Sequence, residues 1–148
     1  MRPRRGRCRE RSCGTTHVLL PDVCLARRRY VAEVIGAALL SAGVEGYRRC
    51  GERLGVPGET VRDWRRRFWL LAGPIVAHFL RWARALDASL DPPAEHGSLI
   101  ADAVEAIGVC TRVASLLLGR RSPWSWASAL TAGGLLVINT CTPWPVPE

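Results

Sequence analysis

Four potential metal ligands lie close together near the N-terminus of this 148-residue chain. Cys8 and Cys13 have the spacing C-x4-C, and His17 and Cys24 follow them. A structural zinc site needs four such ligands in tetrahedral arrangement, usually anchored by a C-x-x-C pair. That pair is missing here, so His17 is better read as part of an extended segment and Cys24 as a buried apolar residue. We therefore expect Cys8 and Cys13 to form an incomplete site that holds zinc weakly or not at all.

Catalytic chemistry is not predicted from the remaining polar residues. A two-metal catalytic site would need several carboxylates as ligands. The candidates lie within a short stretch around a proline linker: Asp87, Asp91, Glu95, Asp102 and Glu105. Asp102 and Glu105 are three residues apart and could share a helix face, but a solvated helix surface explains this spacing better. We find no Gly-rich phosphate loop, no HExxH and no Ser-His-Asp arrangement, and His78 is expected to be a partly buried helix residue. The sequence therefore favours a protein that is not an enzyme and that has no cofactor.

Positive charge is concentrated in the first half of the chain. Residues 1–67 contain 16 arginines and 7 acids, whereas residues 68–148 contain 5 arginines and 6 acids. Lysine is absent, and an arginine fork can grip a phosphate or a guanine edge with two hydrogen bonds. This asymmetry favours a polyanionic partner, nucleic acid before membrane, and the alternative is a solvated basic face.

The hydrophobic pattern predicts a mainly α-helical protein. Residues 1–14 read as irregular and 17–20 as a strand; helices are predicted at 30–42, 47–54, 59–68 and beyond, 75–86 and 98–118. Gly73-Pro74 should kink or break the helical run, and Asp91-Pro92-Pro93 marks a boundary. The apolar stretch 124–138 is expected to be a terminal helix packed on 98–118, with weak membrane association as the less favoured alternative.

Residues 47–68 have the pattern of two helices joined by a tight turn. Gly51 provides the small residue needed where the first helix packs on the second, and Gly55 tolerates the positive φ of the turn. Val56 fills the gap between the helices. Val61 and Trp64 lie three residues apart on one face of the second helix and should point into the core. This spacing indicates a helix-turn-helix unit.

The segment YRRCGERLGVPGETVRDWRRRF resembles the helix-turn-helix of bacterial regulators and insertion-sequence transposases. Together with CRERSCGTTHVLLP and VIGAALL ahead of it, it resembles a family of short, uncharacterised proteins of high-GC bacteria, in which a half zinc-ribbon precedes a transposase-like helix-turn-helix. The resemblance covers about residues 7–87 and implies DNA binding. Two features depart from the relatives: the earlier CxxC pair and a catalytic domain are both missing. Either the zinc site has decayed or the true start lies upstream of Met1, and only an upstream start would bring a bound zinc.

The motif geometry assigns roles to the residues of the second, recognition helix and its partner. The early part of such a helix enters the major groove, so Gly58, Glu59, Arg62 and Asp63 are the expected readers of base edges. Phosphate contacts are expected from Arg48, Arg49, Arg66 and Arg67, and Arg65 lies along the same helix as a further DNA-binding residue. The N-terminal arginines could add a flexible arm, or form only a solvated tail.

These observations predict a helix-turn-helix bundle with a short irregular or ribbon-like N-terminal segment (1–26), a helix-turn-helix domain (27–90) and a C-terminal helical extension (91–148). Its function would be to bind double-stranded DNA as a transposase-related or regulatory protein. A homodimer would suit this function, because two half-sites double the interface. One alternative is a protein-interaction module, with a dimer surface formed by the helix 98–118 and five apolar residues: Trp69, Leu70, Leu71, Phe79 and Trp82. The other is a non-functional relic of a mobile element. The six cysteines have no secretory signal ahead of them, which favours a reducing cytoplasm.

Overall fold

The protein is described by a computed structural model over residues 4–9, 13, 15–19, 21–91, 93–94, 96–137, 144 and 146–147. Within these ranges most residues are helical, which confirms the predicted mainly α class. The elements are β1 (Arg4–Arg7), β2 (Thr16–Leu19), α1 (Ala32–Glu45), α2 (Tyr47–Leu54), α3 (Gly58–Leu86), α4 (Leu99–Leu118) and α5 (Pro123–Leu130).

The N-terminal segment forms a small antiparallel hairpin. β1 and β2 pair in a register that sets Arg4 opposite Leu19 and Arg7 opposite Thr16. The predicted strand is confirmed, but the prediction that residues 1–14 are irregular is wrong at β1. The pairing partner of β1 lies across a turn, and such a non-local contact leaves no mark on the composition of a short arginine-rich stretch.

Helix α3 is much longer than the second helix of the predicted helix-turn-helix unit. The expected break at Gly73-Pro74 is absent, and α3 runs through Pro74 without interruption. A proline removes one backbone hydrogen bond from a helix, so other interactions must hold the two halves of α3 together. These come from an apolar stripe with no solvent exposure. The stripe packs mainly on α4 and consists of Phe68, Ala72, Ile75, Phe79 and Ala83. Tertiary burial therefore outweighs the local cost of the proline.

Helix α4 forms the second half of the core. Ala103, Ile107, Cys110 and Ala114 are buried as their spacing predicts. The two ends of the predicted stripe are wrong, because Leu99 and Leu117 are 55% and 59% exposed. Cys110 behaves as an apolar residue, and burial raises the pKa of its thiol to about 12.

Helix α5 and the segment after it pack against the start of α1. The Trp124 ring lies on Gly36 so closely that a Cβ there would fall within 2.0 Å of it. Glu33 accepts hydrogen bonds from the hydroxyls of Ser122, at 2.5 Å, and Ser125, at 2.8 Å. One hydrophobic cluster therefore extends from α1 to the residues beyond α5, and it forms the base on which α2 and α3 rest.

Candidate nucleic-acid interface

The turn between α2 and α3 has the close approach that the sequence predicts. Gly51 is buried, and a Cβ built on it would lie 2.4 Å from the Val56 carbonyl oxygen and 3.0 Å from the Gly58 nitrogen. Gly55 caps α2 in the left-handed conformation, with φ of +66°. The Val56 amide donates to the Gly51 carbonyl at 2.9 Å, and the Val56 side chain is buried. Only glycine fits the contact at position 51, so the packing of the two helices depends on it.

The inward face of α3 is set by two residues that the spacing identifies. Val61 and Trp64 are 1% and 2% exposed. The Trp64 ring meets Tyr30 edge to face, with 5.3 Å between ring centroids. Because these residues are buried, the first turns of α3 expose the opposite side, where Glu59 and Arg62 lie.

The three charged residues that were expected to read bases, Glu59, Arg62 and Asp63, each form an ion pair along α3. An Arg62 Nη2 lies 2.5 Å from Glu59 Oε2, and Arg67 Nε donates to Asp63 Oδ2 at 2.7 Å. The first pair is well exposed, at 63% and 79% of the two side chains. Exposed pairs of this kind contribute about 0–1 kcal/mol, so Arg62 can leave Glu59 at little cost.

Charge along the α2–α3 unit is not balanced. Residues 47–68 contain seven arginines and three acids, and each acid already has an arginine partner. The third such pair is Arg48 with Glu52, at 3.2 Å. Arg49 and Arg66 are exposed and form no ion pair or hydrogen bond with any residue that the structure describes. These two guanidinium groups are therefore available to an anionic partner.

Two other arginines of the unit serve the fold. Arg65, expected to contact DNA, instead donates from Nη1 to the Leu39 carbonyl at 3.1 Å and lies against Gly43 of α1. Gly43 lies inside α1, one residue beyond the predicted end of this helix at residue 42. Arg53 pairs with Glu45, and its hydrogen bonds lower the pKa of that carboxyl group to about 2. The structural role of Arg65 has no sequence signal, because its acceptor is a backbone carbonyl 26 residues earlier.

The two N-terminal cysteines lie in the segment that connects β1 to β2. Cys8 donates its amide to the Thr15 carbonyl at 3.0 Å, and its thiol is a hydrogen-bond neighbour of the exposed Cys13. Hydrogen bonds from Thr15, and then from the Cys8 thiol, lower the pKa of Cys13. Cys24 is only partly buried, and its backbone pairs with that of Val31 in an isolated antiparallel β-bridge. In the described part of the chain, no three His, Cys, Asp or Glu residues come close enough together to hold a metal ion.

The acidic residues considered for catalysis are engaged locally. Asp87 accepts from the Ser89 hydroxyl at 2.6 Å, and Asp102 accepts from the His96 amide at 2.7 Å. Glu105 Oε1 lies 4.0 Å from an Arg112 nitrogen. Glu95 lies outside the described residues. Asp87 and Asp102 are thus held by local hydrogen bonds, and Glu105 lies near an arginine of its own helix.

His78 is buried between α3 and the end of α5. Its Nε2–H donates to the Leu130 carbonyl at 3.0 Å, and its ring meets Phe79 and Trp144 edge-on. Burial lowers the pKa of His78. His78 lies on a helix as expected, but it is more deeply buried than the partial burial that was predicted, with 6% exposed.

In comparisons with protein-family profiles, with curated proteins and with solved structures, no match to this chain was found. Among the described helices, none is both long enough and apolar enough to span a bilayer.

Proposed function

We propose that this protein binds double-stranded DNA through α2 and α3, with the first turns of α3 in the major groove. The observation that carries the proposal is the contact at Gly51, where the α2 backbone meets the turn and the start of α3. This contact holds two short helical segments at a fixed relation, as a helix-turn-helix needs in order to present the second one. It buries Val61 and Trp64 and leaves an arginine-rich face in solvent.

The unpaired arginines would contact the DNA backbone, whereas a paired arginine would contact the bases. Arg49 and Arg66 are exposed and unneutralised, so they are the natural phosphate contacts. Arg62 lies one turn inside α3 and pairs with Glu59 in the absence of DNA. Exchange of that carboxylate for the O6 and N7 acceptors of guanine would make Arg62 a base reader, while Glu59 or Asp63 accepts from cytosine N4. Arg65 is left out of this set because it is held by α1.

The test is a titration of the full chain with a duplex selected from a random library and with a scrambled duplex, each at several salt concentrations. Arg49→Ala should weaken both complexes alike and lower the salt slope by about one unit, because one phosphate contact is lost. Arg62→Ala should cost about 1–3 kcal/mol on the selected duplex and much less on the scrambled one. Arg84→Ala is the matched control, since Arg84 is exposed near the far end of α3. Equal losses for Arg49→Ala and Arg62→Ala on both duplexes would mean that α3 reads no bases.

A protein-contact role is the second candidate, and one observation favours it. Trp69 and Leu70 are 55% and 48% exposed, directly after the arginine cluster on α3. Phe79, which the sequence placed on the same dimer surface, is wholly buried and is excluded from it. If the protein binds neither duplex at low salt, yet sediments as a dimer that Trp69→Ser dissociates, this role replaces DNA binding.

A further inference from the structure

A wide cavity lies where α4 ends and α5 begins, and it plays no part in the proposed DNA contact. Its volume is about 710 Å³, which is in the range of small-molecule sites. Five of its eight lining residues have polar side chains, although most of the lining surface is apolar; the lining includes Thr111, Arg112, Ser115, Leu116, Arg120 and Arg121. We propose that this cavity binds a small organic phosphate ester.

The charge of the lining is the first support. Three arginines face the cavity, and the sequence contains no acidic residue from position 106 to position 147. Arg112 reaches Glu105 only at 4.0 Å, with 69% of its side chain exposed. Arg120 is exposed and pairs with no residue in the described ranges. At least one full positive charge is therefore free, and a second is held loosely.

The position of Arg121 is the second support. Its guanidinium group pairs with Asp22 and lies over the Trp126 ring, 5.0 Å from the ring centroid. Stacking and pairing fix the plane of the group while other N–H donors of the fork remain available. A ligand that meets an arginine already held in place pays less conformational entropy for binding.

The other lining residues define the class of ligand. Thr111 and Ser115 lie one turn apart on α4, and their hydroxyl groups make only long hydrogen bonds, at 3.3 Å and 3.4 Å. The partly exposed Ser115 hydroxyl can rotate to donate to a phosphate oxygen, whereas Thr111 is buried and mainly shapes the lining. Beside them, Leu116 is 81% exposed and gives the cavity an apolar wall. The combination fits a phosphate group joined to an apolar or aromatic body better than it fits a free inorganic ion.

The experiment is a calorimetric titration of the full chain with phenyl phosphate at millimolar concentration, compared with inorganic phosphate and with phenol. Phenyl phosphate should bind, inorganic phosphate should bind more weakly, and phenol should not bind. Arg120→Gln and Arg112→Gln should each weaken phenyl phosphate binding about tenfold, since each removes a charged hydrogen bond. Arg84→Gln, which removes an exposed arginine elsewhere, should leave the affinity unchanged. No binding of phenyl phosphate, or an equal loss with Arg84→Gln, overturns the proposal.

A second measurement separates a small ligand from the DNA backbone as the source of the phosphate. Duplex affinity should be the same for Arg120→Gln as for the unmodified chain. A loss as large as that of Arg49→Ala would place the cavity in a DNA contact and overturn its assignment to a small molecule. Because the two titrations use different ligands and different variants, failure of one leaves the other interpretable.

Discussion

Replacement of Gly51 by alanine should destabilise the protein, although alanine favours helices. The new Cβ would lie 2.4 Å from the Val56 carbonyl oxygen, a full ångström inside the 3.4 Å at which ordinary contact begins. The atoms that it meets belong to the backbone, so no side chain can turn away. Relief requires α2 to move from the start of α3, which also stretches the Val56–Gly51 hydrogen bond of 2.9 Å.

The magnitude follows from three opposing contributions. Overpacking costs about 1–3 kcal/mol, and the strained hydrogen bond costs about 1 kcal/mol. The gain in helix propensity returns about 1 kcal/mol. Since rigid backbone puts the steric cost near the top of its range, we expect the free energy of unfolding to fall by about 2–3 kcal/mol.

Urea unfolding followed by far-UV circular dichroism measures this change. The matched control is Gly108→Ala, the same substitution in the middle of α4, where a Cβ meets nothing within 4 Å. That variant should gain about 0.5–1 kcal/mol. If Gly51→Ala is as stable as the unmodified chain, or shifts in the same direction as Gly108→Ala, the tight contact between α2 and α3 is refuted, and the helix-turn-helix argument fails with it.

Three further outcomes are expected. Trp64→Ala should lower the unfolding free energy by about 3–5 kcal/mol, because the ring is 2% exposed; unchanged melting together with lost DNA binding would contradict a core role. Arg65→Ala should destabilise by about 1–3 kcal/mol, whereas Arg66→Ala should stay within about 0.5 kcal/mol in urea unfolding; the reverse order would refute the division between them. Burial lowers the pKa of His78, so the unfolded chain takes up its proton more readily, and stability should fall as pH drops below about 6.5. His78→Gln should remove that slope in pH-dependent unfolding, and a slope that persists would show another group to be responsible.

The turn between α2 and α3 was predictable because its determinants are local. The residues that shape the turn lie within 14 positions of one another: Gly51, Gly55, Val56 and Trp64. Gly51 allows the close helix contact, and Gly55 adopts the left-handed conformation that the turn requires. The inward face of α3 followed from the spacing of apolar residues alone. The class of the fold was therefore readable before any long-range contact was known.

The continuity of α3 and the roles of its arginines could not be predicted in the same way. Pro74 carries a local signal to stop, and only the stripe packed on α4 overrides it. Arg65 and Arg66 are adjacent arginines that the sequence alone does not distinguish. Arg65 donates to a backbone carbonyl of α1, whereas Arg66 is exposed to solvent. The cavity at α4 and α5 was missed as well, because its arginines are separated in sequence from the basic half of the chain. The sequence feature that could have indicated these arginines is the long stretch around them that contains no acidic residue.

The contacts between the two ends of the fold have a consequence for synthesis on the ribosome. The Ala26 amide donates to the Gly133 carbonyl at 2.7 Å, Ser128 donates to the Cys24 carbonyl at 2.7 Å, and an Arg28 nitrogen donates to the Leu136 carbonyl at 2.8 Å. Each partner is more than 100 residues further along the chain, so a nascent chain that has already emerged as far as α3 still lacks them. The segment before α1 must wait with unpaired backbone groups until residues 128–136 have left the exit tunnel. Long-range closure of this kind slows folding and exposes the intermediate to aggregation. The α2–α3 unit can thus form early, while the packing that supports it is completed only at the end of translation.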